Sequence, residues 1–68
     1  MAEVIARVGR ITGEAVARDP DGNVRRLKSG DPIREGDVVQ AADGAQVALR
    51  LADGRDLTVN ANEAARID

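Results

Sequence analysis

Apolar and polar residues alternate in short stretches along this chain, and turn-forming pairs interrupt each stretch before it reaches helical length. The clearest stretch sets Val47, Leu49 and Leu51 against Gln46, Ala48 and Arg50, which is the period of two expected of a strand with one buried face. Leu57 and Val59 against Asp56, Thr58 and Asn60 repeat it. Asp19-Pro20-Asp21-Gly22, Gly30-Asp31-Pro32, Gly36-Asp37, Asp43-Gly44 and Asp53-Gly54 leave only short pieces between them, too short for an ordinary helix. The pattern predicts an all-β chain of hairpins.

Loop length tests that reading, because a hairpin must bring both apolar sets to one face. A two-residue Asp53-Gly54 loop would set Leu51 opposite Asp56 and Leu49 opposite Thr58. A three-residue loop, Ala52-Asp53-Gly54, instead sets Leu49 opposite Leu57 and Val47 opposite Val59, with Gly54 left-handed to close a type I turn with a G1 bulge. Ala42-Asp43-Gly44, built the same way, sets Val39 opposite Val47 and Ala41 opposite Ala45. Residues 37–61 therefore read as a three-stranded meander, with Val39, Val47 and Val59 in one row and Ala41, Ala45 and Ala61 in the next.

The N-terminal half is less determined. Residues 3–11, 13–18 and 24–28 read as strands, with Gly9 and Gly13 as bends or bulges, while the loop at residues 19–22 admits several registers. A short strand at 63–67 would return Ile67 to the core. The expected architecture is a single domain over residues 1–68: a small antiparallel β-sandwich of six to seven short strands, or failing that a partly open barrel.

Composition narrows the function. Of the chain's 68 residues none is Cys, His, Trp, Tyr or Phe, so most side chains used in nucleophilic catalysis, metal ligation and base stacking are missing. The core must come from Val, Ile and Leu. Ten basic and twelve acidic residues give a net charge of -2, interspersed along the chain without blocks, which disfavours nucleic acid and direct insertion into lipid. Apolar runs such as Val4-Ile5-Ala6 and Val47-Ala48-Leu49 fall far short of the ~18 residues of a membrane span, and the N-terminus shows no export signal of the cleaved type.

Asp19-Pro20-Asp21-Gly22-Asn23 spaces oxygens as a calcium loop does, but its glycine falls at the fourth position instead of the sixth and no Glu follows at the twelfth. A turn in which Asp19 caps its own backbone accounts for it. Gly30-Asp31-Pro32-Ile33-Arg34-Glu35-Gly36-Asp37 lacks the Lys-Ser/Thr of a phosphate loop and reads as two tight turns flanking a short edge segment. Ser29, Thr12 and Thr58 have no His to activate them. The sequence therefore offers no catalytic, cofactor-binding or metal-binding residues, and the chain is expected not to be an enzyme.

Biotinyl and lipoyl carrier domains also repeat Gly-Asp about a short strand, yet Lys28, the sole Lys, precedes the repeat instead of sitting at a hairpin tip. A fuller likeness runs through Gly9-Arg10-Ile11-Thr12-Gly13-Glu14-Ala15-Val16-Ala17-Arg18, Gly22-Asn23-Val24-Arg25-Arg26-Leu27, Gly30 to Val39 and Gly44 to Val59, ending at Ile67-Asp68. In these segments the chain resembles the N-terminal retention module of giant RTX-type biofilm adhesins exported by type I secretion. The Gly-Asp and Asp-Gly rhythm also resembles FecR-type periplasmic sensing domains. The strand pattern begins directly after Met1-Ala2, as in the adhesins, whereas a FecR-type domain normally follows an inner-membrane helix; the retention module is the preferred reading.

The resemblance implies a monomeric module that folds in the periplasm and plugs the outer-membrane channel of a type I secretion system, anchoring an adhesin at the cell surface. It also implies a periplasmic cysteine protease cutting at a di-alanine just downstream. Ala64-Ala65 is a di-alanine, but Arg66 and Ile67 follow it in place of the usual small residues, so it reads as a last strand and the cut is expected beyond Asp68.

Overall fold

The structure, a computed structural model, describes residues 3–67. Eight strands follow in chain order: β1 (Val4–Thr12), β2 (Ala15–Arg18), β3 (Val24–Arg26), β4 (Pro32–Arg34), β5 (Val38–Ala41), β6 (Gln46–Leu51), β7 (Asp56–Val59) and β8 (Ala64–Arg66). They form two antiparallel sheets, ordered β4-β1-β6-β7 and β3-β2-β5-β8. The sandwich is the observed architecture, and the strand beyond the expected six to seven is β4, the short edge segment between the two Gly-Asp turns.

The two orders are one order seen twice. Strands β1 and β2 form a single ribbon bent at Gly13, and β3–β4, β5–β6 and β7–β8 are ribbons bent in the same way. Each ribbon crosses from one sheet to the other, and both sheets keep the sequence second, first, third, fourth. The domain is thus a four-ribbon sheet folded over onto its apolar face. Pairing persists through the fold line: Ala42 N–H donates to Glu14 O at 3.0 Å, Leu27 N–H to Ala15 O at 2.9 Å, and Gly30 N–H to Val8 O at 2.7 Å.

The β6–β7 hairpin has the register required by its three-residue loop, with Val47 opposite Val59 and Leu49 opposite Leu57. Leu51 N–H donates to Arg55 O and Gly54 N–H to Leu51 O, with Gly54 at φ 94°. The β2–β3 loop, whose register the sequence left open, closes identically: Asp19 N–H donates to Asn23 O, Gly22 N–H to Asp19 O. Gly9 is a bulge, marked by a register shift between Val8 and Arg10.

The three-stranded meander does not form. Val39 lies in the facing sheet, opposite Ala17 and Ala65, and Ala41 lies opposite Ala15. Residues 42–44 turn a corner between sheets, and Ala61 is exposed beyond β7. Val39, Val47 and Val59 nevertheless share one buried cluster with Val8, Ile33, Leu49 and Ile67. A hairpin and a corner leave the same residues inward, and the corner is adopted because both edges of β5 are occupied, by β2 and β8. Ile67 is buried, as a closing strand at 63–67 requires.

Candidate functional site

Asp37 is the one charged residue buried among those described, at 1% exposure. A carboxylate so removed from water needs partners, and one oxygen, Oδ2, accepts from the Arg34 N–H at 3.0 Å and from Arg25 Nη2 at 3.3 Å. Arg25 also donates to Pro32 O at 2.7 Å. In the register of β3 with β2, Arg25 stands opposite buried Ala17, on the inward side. Its guanidinium therefore spans the open side of the sandwich from β3 to β4. Neither residue is singled out by the sequence pattern.

The same turn holds the two ends of the described chain. Glu35 N–H donates to Glu3 O at 2.8 Å, Gly36 N–H donates to Ile67 O at 2.7 Å, and Ile67 N–H donates to Asp37 O at 2.8 Å. Lys28–Asp31 is built like Arg34–Asp37: Asp31 N–H donates to Lys28 O, and Lys28 N–H donates back to Asp31 Oδ2. The repeated Gly-Asp is therefore two equivalent tight turns about edge strand β4. Only the second has its carboxylate buried, a difference the repeat itself does not signal.

Charge is interspersed along the chain but segregated in space. Of the ten basic residues eight lie in strands, whereas of the eleven acidic residues described only Asp56 does. Sheet faces are basic and connecting loops acidic. The loop carboxylates serve local turns: Asp19 Oδ1 accepts from Asp21 and Asn23 N–H groups, and Asp53 Oδ1 from Arg55 N–H while its Oδ2 accepts from Arg55 Nε at 2.7 Å. The Asn23 backbone bond foremost holds the Asp19 carboxyl below its ordinary range, and the Arg55 backbone bond does the same for Asp53. The 19–23 segment is thus a self-capped turn. Among the described residues no three of Asp and Glu gather into a metal-holding group.

Ala64 and Ala65 lie within β8, opposite Gln40 and Val39, with Ala65 half-buried. They form the last strand.

No family model and no curated protein matches the sequence. The fold is similar to that of a solved structure described as a "cell surface anchoring domain", with a TM-score of 0.90 and 25% sequence identity over 96% of this chain and 86% of that one. The likeness is thus to a surface-anchoring module, over almost its whole length.

Proposed function

We propose that this domain is a non-catalytic retention module: it folds in the periplasm and holds a large RTX-type, type I-secreted adhesin in its outer-membrane channel by its width. The observation that carries this reading is the likeness to a cell surface anchoring domain over nearly the full length of both chains. The dimensions suit the role. The Cα positions extend 32 × 27 × 16 Å, so even end-on the folded domain presents 27 × 16 Å, against about 10 Å for one extended strand with its side chains. In this reading the domain acts as a monomer, the pull enters beyond Ile67, and the releasing protease cuts past Asp68, since Ala64-Ala65 is held in a paired strand.

The test is the ratio of cell-bound to released adhesin in a strain without the releasing protease. Val47→Asp places an unpaired charge at a site with 0% exposure, which unfolds a domain of this size, and the adhesin is then expected in the medium. An unfolded Val47→Asp variant whose adhesin stays bound would overturn retention by folded bulk.

A further inference from the structure

We infer that the outward face of the β3-β2-β5-β8 sheet is a docking surface for an acidic protein partner. Two cross-strand rows make up this face. Arg26, Val16, Gln40 and Ala64 form one, and Val24, Arg18, Val38 and Arg66 form the other. Neither row contains a carboxylate, although the whole chain carries a net charge of -2. Glu14, at the fold line, approaches Arg26 only at 4.0 Å with both side chains 71% exposed, a pair of little strength in water.

Between the guanidinium groups lies apolar surface. Val24 is 54% exposed, one of two large aliphatics so placed among the described residues, and Val16 and Val38 are half-buried. A depression of about 340 Å³, lined in part by Glu14, Val16, Arg26, Gln40 and Asn62, opens at one end of the face. The opposite face also carries Arg7, Arg10 and Arg50, but there a carboxylate stands among them: Arg50 faces Asp56 and pairs with it at 3.5 Å.

Charge complementarity selects the occupant. Arginine forks bind carboxylates in bidentate geometry, and valines between them match aliphatic side chains on an acidic protein surface. A bilayer is less well served: the chain has no aromatic residue, whereas interfacial binding draws on aromatic anchors at headgroup level. Four short strands spaced ~4.8 Å apart offer only a few hundred Å², below the ~800 Å² per partner of a stable complex. The contact is therefore weak and quickly exchanging. It goes beyond the steric reading, which needs no contact, and can fail while that reading stands.

The test titrates ¹⁵N-labelled domain with a synthetic octapeptide of alternating Glu and Val, following backbone amide shifts. Saturable shifts confined to Val16, Arg18, Val24 and Val38 are expected, at least tenfold weaker in 500 mM than in 50 mM salt. Arg18→Gln/Arg26→Gln, which keeps most of each stem, is expected to weaken binding at least tenfold, and Arg7→Gln/Arg10→Gln on the opposite sheet to leave it unchanged. Absent binding, shifts centred on the opposite sheet, or equal losses in the two double variants would overturn the proposal. So would binding to phosphatidylglycerol vesicles without binding to the peptide, which would make the face a lipid surface.

Discussion

Gly13 and Ala45 nest so closely that a Cβ on Gly13 would lie 2.9 Å from the Ala45 Cβ and 3.0 Å from its Cα. Gly13 is where the first ribbon bends from one sheet to the other, and Ala45 follows the bend of the third. The two corners are therefore packed on each other at the fold line. Gly13 also has φ 77°, so position 13 needs glycine for backbone conformation and for space.

Gly13→Ala is accordingly the glycine substitution with the largest expected cost. Left-handed strain of ~1–2 kcal/mol adds to overpacking of ~1–3 kcal/mol against an Ala45 backbone that cannot swing aside. Gly22 and Gly54 also have positive φ but nothing within 4 Å of a Cβ, so Gly22→Ala and Gly54→Ala incur the strain alone. Urea midpoints should show a loss for Gly13→Ala at least twice that of either. Equal losses would show that the corners are not packed as described.

Asp37 and Arg25 make a second test. Asp37→Ala removes two hydrogen bonds to a charged acceptor and should cost about 2–4 kcal/mol. Arg25→Met keeps an apolar stem but leaves the Asp37 side chain, 2% exposed, with the Arg34 N–H as its remaining hydrogen-bond donor. Each single variant should be clearly destabilised in urea and the double variant by less than the sum, because either change removes the same pair. Strict additivity would refute the coupling.

Ile67 is the third. Its side chain is buried and both its backbone polar groups bond to the 36–37 turn. Ile67→Ala should cost about 2–4 kcal/mol by the cavity it leaves, a large share of the roughly 3–10 kcal/mol available to a domain of this length. Hydrogen exchange should then quicken together at Gly36 and at the amide of position 67, as the shared ladder opens. Unchanged protection at Gly36 would separate the turn from the chain end.

Acid should weaken the fold through its turns. Asp19 and Asp53 have carboxyls held below the ordinary value of 3.8 by backbone N–H bonds. A depressed folded value means that the stabilisation is complete above the unfolded value and disappears as pH falls through the folded one. The urea midpoint should therefore be flat down to about pH 4 and decline below it. In Asp53→Asn that decline should be shallower. An identical decline in Asp53→Asn would remove the Asp53 turn from the account.

The alternation of residues 46–51 against 56–60 determined the β6–β7 hairpin completely, because the loop can have only one length if both apolar sets are to share a face. Period two and turn spacing likewise determined an all-β chain with Ile67 returning to the core. They could not decide where the chain stays in a sheet and where it leaves it. At residues 42–44 the inward set, Val39, Ala41, Ala45 and Val47, is the same for a hairpin and for a corner, so burial pattern carries no vote. Only the competition for the edges of β5, won by β2 and β8, settles it. The polar centre was hidden for a related reason. Asp31 and Asp37 end equivalent turns in the sequence, and what buries Asp37 alone is the arrival of Arg25 from β3 and Ile67 after β8, distant segments that meet only once the four-ribbon sheet has folded over.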